Sequence, residues 1–250
     1  MPKKTKSVQV ATNASLHKTL NHGLWDDFNL RPKVHKRLLK IAQMFIDYIG
    51  VVDDAITDIV ITGSMANFNW TSLSDIDLHV VIDIEAVDED TELVKELLDA
   101  KRRAWAAKHS IEFYGHPIEL YAQDSSEPHV STGVYSVMHD KWLIHPKEYM
   151  GKIDSGAAQK KADALASLIN DASNRKKPQL GDLQKLADKI RTMRRCGLKR
   201  TGEFSVENLA FKALRNSGYI ESLYDTMDKL YDSELSLHEN LRLPLPWNDS

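Results

Sequence analysis

The sequence predicts an α+β fold, in which a mixed β-sheet with flanking helices is followed by a C-terminal helical bundle. Three observations predict this fold class. An amphipathic segment at 31–50 precedes several short β-branched segments between residues 55 and 123. From residue 154 onward, apolar residues recur with the helical period almost throughout. Strands followed by a run of helices are typical of α+β proteins.

The first predicted helix lies within residues 31–50 and ends at Gly50, because glycine readily adopts the left-handed backbone that terminates helices. Apolar residues recur there at steps of four and three, as one buried helix face requires: Val34, Leu38, Ile41, Phe45 and Ile49. The pattern then changes to β-branched residues, which favour strands, and we expect strands in 55–64 and 75–84.

A second helix is predicted at 89–109, with an apolar side formed by Leu93, Leu97, Ala100 and Trp105. Residues 110–123 then predict a β-hairpin with its turn at His116-Pro117. The last segment of this half, 133–146, predicts either one more short strand or a connector.

The second half of the chain predicts four helices, at 155–172, 180–196, 205–217 and 219–234. We therefore expect a sheet domain at 24–150 and a helical domain at 151–250. The opening residues are polar, basic at their start and without periodicity, which predicts a flexible N-terminal arm at 1–23.

Composition limits the classes of function. The formal net charge is −3, so no overall field would draw the chain onto nucleic acid or an anionic membrane. Cys196 is the single cysteine, which excludes an internal disulfide and a thiolate metal cluster. The sequence has no signal-peptide core, and no apolar run approaches the roughly 18 residues of a spanning helix. We expect a cytoplasmic protein without a membrane partner.

Two aspartates interrupt the second predicted strand, at Asp75 and Asp77, although strands are depleted in aspartate. Because strand side chains alternate between the two faces, both acids share one face with His79, and the apolar residues between them face the core. The same alternation places Glu119 on the polar face of the strand predicted at 118–123. If the two strands pair in a suitable register, Glu119 joins the aspartates.

Three carboxylates brought together repel one another by about 4 kcal/mol per pair at 4 Å and an effective dielectric near 20, so they need cations or protons. Carboxylate oxygens are the ligands that Mg²⁺ and Mn²⁺ prefer. The pattern therefore predicts an Mg²⁺ or Mn²⁺ site at Asp75, Asp77 and Glu119. Two alternatives stay open: Asp75 could cap a helix or lie in a plain turn, and Glu119 could be an ordinary exposed strand residue.

Gly63 and Ser64 end the strand that precedes the aspartates. Glycine permits a tight backbone turn, and exposed N–H groups together with a hydroxyl can bind phosphate. A Gly-Ser pair alone is a weak signal. It gains weight here because ten residues separate it from the acid-x-acid pair at the start of the next strand.

Gly63-Ser64, ten intervening residues and Asp75-Ile76-Asp77 resemble the signature of the nucleotidyltransferase superfamily, whose fold is shared by DNA polymerase beta and antibiotic-modifying adenylyltransferases. The layout also resembles uncharacterised predicted nucleotidyltransferases of bacteria and phages, and the segment 207–216 is similar to theirs. The resemblance implies transfer of a nucleoside monophosphate from a nucleoside triphosphate such as ATP to a hydroxyl acceptor, with release of pyrophosphate. RNA, protein and small molecules stay open as the acceptor.

The resemblance also implies residue roles. Asp75 and Asp77 would bridge two Mg²⁺ ions, and Glu119 would complete the site on the side of the acceptor hydroxyl. Gly63 and Ser64 would hold the β- and γ-phosphates. Such chemistry needs mainly alignment and charge neutralisation, so few residues can carry it.

The helical half contributes two further nucleotide-binding candidates. Lys212 and Arg215 could reach the phosphates, although charges three residues apart on a helix are commonly solvated. A basic cluster within 185–200 could contact nucleic acid or a triphosphate, but a solvated helix face is the simpler explanation.

Other classes of protein fit less well. Glycosyltransferases and haloacid-dehalogenase-type phosphatases also use an acid-x-acid pair, but in them the pair ends an apolar strand, whereas Asp75 and Asp77 begin one. The two carboxylates of a glycoside hydrolase normally lie several ångströms apart rather than two residues apart on one strand. A non-catalytic nucleotide- or RNA-binding protein on the same fold is the remaining alternative.

Overall fold

The computed structural model describes residues 7–10, 16–129 and 131–236. The described residues form two compact units. One lies within Asn13–Gly151, and we call it the sheet unit; the other combines the described parts of Met1–Thr12 and Lys152–Ser250, and we call it the helical unit. Parts of the predicted N-terminal arm, residues 1–6 and 11–15, lie outside the described residues.

The sheet unit contains helices α1 (Pro32–Ile49) and α2 (Thr91–Lys108). Its strands are β1 (Trp25–Asp26), β2 (Asn29–Leu30), β3 (Ile56–Thr62), β4 (Ile76–Ile82), β5 (Glu112–Phe113), β6 (His116–Asp124), β7 (Val134–Ser136) and β8 (Lys141–Ile144). Six of these form one mixed sheet in the order β5-β6-β4-β3-β7-β8, in which β4 and β6 run parallel and the other neighbours antiparallel. The predicted α+β fold with a mixed sheet and flanking helices is confirmed.

The helical unit contains the four predicted helices, α3 (Ser155–Ser173), α4 (Leu180–Thr201), α5 (Val206–Asn216) and α6 (Tyr219–Leu235). Helix α4 continues five residues beyond its predicted end at residue 196. Gly197, inside this helix, allows the close approach of α5, because a Cβ at position 197 would be only 2.6 Å from Cβ of Glu207. Among the described residues, no helix is long and apolar enough to cross a membrane.

Helix α1 follows its sequence pattern, since all five predicted core residues are buried. Gly50 ends the helix with φ +71° and donates its N–H to the carbonyl of Ile46. Helix α2 differs from its prediction. Of its predicted apolar side, Trp105 is buried, but Ala100 is exposed and Leu93 and Leu97 are 60% and 52% exposed. The neighbouring stripe that contains Val94 and Leu98 is buried instead. Both stripes have helical spacing, and packing against the rest of the unit selects between them.

The predicted position of the hairpin turn is also wrong. The turn is Tyr114-Gly115, with φ +53° and +80°, and His116 already pairs with Phe113. A two-residue hairpin loop favours positive φ at both positions, which glycine tolerates and proline cannot adopt. The segment 133–146 forms the two antiparallel strands β7 and β8 instead of one.

Candidate metal and nucleotide site

The three predicted carboxylates converge. Asp75, Asp77 and Glu119 each offer one oxygen, and these oxygens lie within 4.8 Å of one another. Asp77 on β4 stands directly beside Glu119 on β6 in the parallel register, and Asp75 immediately precedes β4. The two aspartates are half-buried and Glu119 is exposed. Because Asp75 precedes a strand, the helix-cap alternative is excluded.

Packing on the opposite face of the sheet fixes this register. Ile76, Leu78 and Leu120 are buried in the core of the sheet unit, so a slip by one residue would expose them and bury the acids. A buried hydrogen bond adds to this, since Nδ1 of His116 lies 2.7 Å from the carbonyl oxygen of Ser74. The bond ties the first residue of β6 to the segment just before β4.

The Gly-Ser bend lies in contact with the triad. Thr62, the last residue of β3, pairs with Asp77, and the chain turns at Gly63 with φ +70° and ψ −158°. Residues other than glycine rarely adopt these angles. A Cβ at Gly63 would also lie 1.9 Å from Oδ2 of Asp77, so both the backbone angles and the neighbouring carboxylate require glycine here.

Ser64 begins a short 3₁₀ turn, Ser64–Ala66, and its hydroxyl is engaged within the loop. It donates to Oγ of Ser74 at 2.8 Å, and Ser74 also accepts the backbone N–H of Thr71 at 3.0 Å. A phosphate oxygen at this bend would compete with Ser74 for the Ser64 hydroxyl. Hydrogen bonds made by the hydroxyl groups of Ser64 and Ser74 hold the loop around the bend.

Residues that the sequence did not single out hold the bend in place. Asn67 is buried; its amide donates to the carbonyl of Gly63 at 2.7 Å and accepts from the hydroxyl of Thr132 at 2.9 Å. The buried indole of Trp25 donates to the carbonyl of Met65 at 2.8 Å. Thr132 and Trp25 are distant from the bend in sequence, so no local pattern predicts their contacts, and Asn67 reads only as one polar loop residue among several.

Tyr121 contacts the triad directly. Its hydroxyl donates to Oε2 of Glu119 at 2.6 Å, from two residues farther along the same face of β6. Burial, followed by the hydrogen bond to Glu119, raises the pKa of Tyr121 above its usual range, so the phenol stays protonated as a donor. Tyr121 therefore orients one oxygen of Glu119.

His79 lies on β4, two residues after Asp77, and does not belong to the carboxylate cluster. Its ring lies 4.8 Å from that of Tyr121, and its Nδ1 is 2.8 Å from Oε1 of Gln123. Burial lowers the pKa of His79 below its usual value. The side chain supports the polar face of β4 and β6 as a neutral group.

Lys212 and Arg215 lie on α5 in the helical unit, where Lys212 is half-buried and Arg215 exposed. Part of the basic cluster in 185–200 is engaged within the same unit. Arg191 contacts Asp188 at 3.1 Å, and the guanidinium of Arg194 lies 4.3 Å from the centroid of the Phe211 ring. These contacts agree with a largely structural and solvated helix face.

Comparison with known proteins adds little to this geometry. No protein-family model matches the chain, and no curated protein matches it either. Among solved structures, a STING-associated CdnE c-di-GMP synthase from Capnocytophaga granulosa is 9% identical, with a TM-score of 0.20. That match covers 82% of this chain and 83% of the other chain, but a TM-score this low carries no inference.

Proposed function

We propose that the chain is a metal-dependent nucleotidyltransferase, which moves a nucleoside monophosphate from a nucleoside triphosphate to a hydroxyl acceptor. The acceptor oxygen would bond to the α-phosphorus as the bond from that phosphorus to the pyrophosphate oxygen breaks. The observation that carries the proposal is the convergence of three carboxylates beside the bend at Gly63: Asp77 on β4, Asp75 just before it, and Glu119 on the parallel strand β6.

The donor set fits Mg²⁺ or Mn²⁺. Three carboxylates within 4.8 Å present hard oxygen ligands, and two of the three belong to half-buried aspartates, where solvent screens charge less than at the surface. Asp75, Asp77 and Glu119 would hold the metal. When bound, it supplies positive charge that neutralises phosphate and polarises the reacting oxygens.

The chain's own groups then have separate tasks. Glu119 accepts the proton of the acceptor hydroxyl, and Tyr121 keeps the Glu119 carboxylate oriented through its 2.6 Å hydrogen bond. The backbone at Gly63 and the hydroxyl of Ser64 bind the β- and γ-phosphates, and the hydroxyl then donates to phosphate in place of Ser74. Catalysis by this arrangement comes mainly from alignment and charge stabilisation.

The helical unit supplies the remaining proposed contacts. We assign the chemistry to the domain predicted at 24–150 and place Lys212 and Arg215, in the domain predicted at 151–250, on the phosphates. A nucleoside triphosphate is thus the proposed substrate. The assay is to identify the base of the triphosphate. It is also to test RNA, protein and small molecules as classes of acceptor.

The test uses each of the four nucleoside triphosphates, labelled at the α-phosphate, with Mg²⁺ or Mn²⁺. RNA, protein and small-molecule fractions serve as acceptors. We expect label transfer and pyrophosphate release that Asp77→Asn abolishes. Glu96→Gln is the matched control, because Glu96 is an exposed carboxylate on α2 outside the triad. Tight binding of a triphosphate with no transfer to any acceptor would instead support the non-catalytic binding protein.

A further inference from the structure

Strand β6, which carries Glu119, is open along most of one edge. On its inner side it pairs with β4 over residues 118–124. On its outer side, β5 is only two residues long, and the bonding ends where the N–H of Ile118 donates to the carbonyl of Ile111 at 2.8 Å. Among the described residues, no strand pairs with this outer edge beyond Ile118.

The backbone groups on this edge have a defined direction. Because the N–H of Ile118 points outward, those of Leu120 and Ala122 do so too, since groups two residues apart point the same way in extended backbone. The N–H of Ser125 points to the other side, where it donates to the carbonyl of Ile82 at 2.8 Å. A row of outward donors and acceptors is complemented by another extended backbone, as in the addition of a peptide strand to a sheet edge.

Two pockets lie side by side along this edge, where β6 faces α2. The first, of about 300 Å³, is lined by Trp105 and Leu120, and the second, of about 290 Å³, is lined by Leu98 and Ala122. Arg102 borders both pockets and divides them. Side chains two residues apart on a strand point to the same face about 6.6–6.8 Å from each other. A strand laid along β6 would therefore place one side chain on each side of Arg102.

The two pockets differ in chemistry. Apolar side chains form most walls of the first, which we call the apolar pocket: Trp105, Ile111, Ile118 and Leu120. Three carboxylates and two cations line the second, which we call the acidic pocket: Asp99, Asp124, Glu127, Lys95 and Arg102. Ion pairs of 3.0 Å to Asp124 and 2.7 Å to Asp99 engage both cations, so Glu127 is in excess. The acidic pocket therefore favours a basic side chain.

The side chain between those two would lie on the opposite face of the sheet, where Glu119 and Tyr121 stand. Side chains directly opposite each other on neighbouring strands have Cβ atoms about 4.5–5.5 Å apart. A hydroxyl at this position of a bound strand would thus lie beside the exposed carboxylate of Glu119. The open edge and its two pockets place a hydroxyl side chain at the triad.

We propose that the acceptor is a protein, of which an extended segment pairs with the open edge of β6 and presents a serine, threonine or tyrosine hydroxyl to Glu119. The segment has an apolar residue on one side of the hydroxyl residue and a basic residue on the other. This inference rests on the proposed nucleotidyl transfer. The hydroxyl oxygen bonds to the α-phosphorus, its proton passes to Glu119, and pyrophosphate leaves, so the protein side chain carries the nucleoside monophosphate.

The test uses libraries of peptides of about ten residues, long enough to pair along β6, with one central serine. The two neighbours of the serine are leucine and lysine, in either order, or two glutamates. The full chain is incubated with each library, Mg²⁺ or Mn²⁺ and the α-labelled triphosphates. We expect the leucine and lysine libraries to be labelled at least about tenfold faster than the glutamate library, because glutamate fits neither pocket.

Ala122→Pro removes one outward N–H and blocks the approach of a strand. Proline is tolerated on edge strands where its N–H would make no bond within the sheet, so the variant should fold. Labelling of the leucine and lysine libraries should fall at least about tenfold, since a backbone hydrogen bond to the peptide is lost. Circular dichroism and titration of Mn²⁺ check the fold and the triad.

Glu127→Lys tests the acidic pocket without altering the backbone. It should reduce the preference for lysine over glutamate beside the serine by about tenfold, because the excess charge of the pocket is reversed. Glu148→Lys is the matched control, because Glu148 is an exposed carboxylate of the sheet unit that lines neither pocket. It should leave the preference unchanged.

Label in RNA or small molecules but in no peptide or protein would overturn this inference and leave the proposed function standing. The inference is also overturned if the neighbours of the serine have no effect, or if folded Ala122→Pro and Glu127→Lys both transfer label as the unaltered chain does. If Ala122→Pro does not fold, Glu127→Lys alone decides. No label in any library or fraction would overturn the proposed function, and this inference with it.

Discussion

Replacing Gly63 with alanine should separate the Gly-Ser bend from the carboxylate triad. At φ +70° and ψ −158°, a residue other than glycine costs about 1–3 kcal/mol of folding free energy. The new Cβ would lie 1.9 Å from Oδ2 of Asp77, whereas ordinary contact begins at 3.4 Å, so the carboxylate must move by about 1.5 Å. Metal–ligand distances tolerate only about 0.2 Å, so Asp77 would be lost as a ligand.

Gly202 provides a matched control for the backbone strain. It has nearly the same angles, φ +77° and ψ −160°, but a Cβ there would meet nothing within 4 Å. Gly63→Ala and Gly202→Ala should therefore both lower the free energy of unfolding by about 1–3 kcal/mol. Only Gly63→Ala should also weaken metal binding, by at least the 10- to 100-fold that follows loss of supporting contacts around a metal.

The assay combines urea unfolding, which measures the strain, with calorimetric titration of Mn²⁺, which measures the site. Both are run on the unaltered chain and the two variants under the same conditions. If Gly63→Ala binds Mn²⁺ as tightly as the unaltered chain does, the bend and the triad are not coupled as described, and the proposed site is wrong. If both variants lose Mn²⁺ affinity equally, the loss comes from backbone strain and not from contact with Asp77.

Four further outcomes are expected. Glu119→Gln should weaken Mn²⁺ binding and cut nucleotidyl transfer by about a hundredfold or more with an unchanged circular dichroism spectrum; an unchanged rate would remove Glu119 from the site. Tyr121→Phe deletes the donor to Glu119, so kcat should fall about tenfold with little change in KM for the triphosphate; a change in KM alone would contradict its positioning role. Trp25→Phe leaves the carbonyl of Met65 without its indole donor and should cost about 1–3 kcal/mol in urea unfolding, and a neutral result would contradict this. Burial lowers the pKa of His79 in the folded chain below 6.5. As the pH falls through 6.5, the unfolded chain therefore binds more protons than the folded chain, and the free energy of unfolding decreases. His79→Gln should flatten that decline of Tm with falling pH, and an equally steep profile would assign it to other groups.

Features with a local physical cause could be predicted from the sequence. The buried face of α1 follows from a period of 3.6 residues, and its end at Gly50 follows from the left-handed cap. The polar face shared by Asp75 and Asp77 follows from the alternation of strand side chains. Each of these depends on residues within one or two turns or strand repeats of one another.

Predictions failed where two local patterns were equally good or where the partner was distant. Helix α2 offers two adjacent apolar stripes, and only contacts with the rest of the sheet unit bury Val94 and Leu98 rather than Leu93 and Leu97. The hairpin turn was predicted at His116-Pro117, but positive φ at two successive residues places it at Tyr114-Gly115, a local requirement that the prediction overlooked. The buried stripe of α2, by contrast, is not visible in a single segment of sequence.

The sequence by itself determined which acids share a strand face and which glycine precedes them, because alternation and backbone freedom are properties of a few consecutive residues. The tertiary structure alone decided that Glu119 stands beside Asp77 and that Gly63 touches the same carboxylate. Strand register is set by burial of side chains on the far face of the sheet and by the bond from His116 to Ser74. These contacts join distant parts of the chain, so they exist only once the sheet has formed.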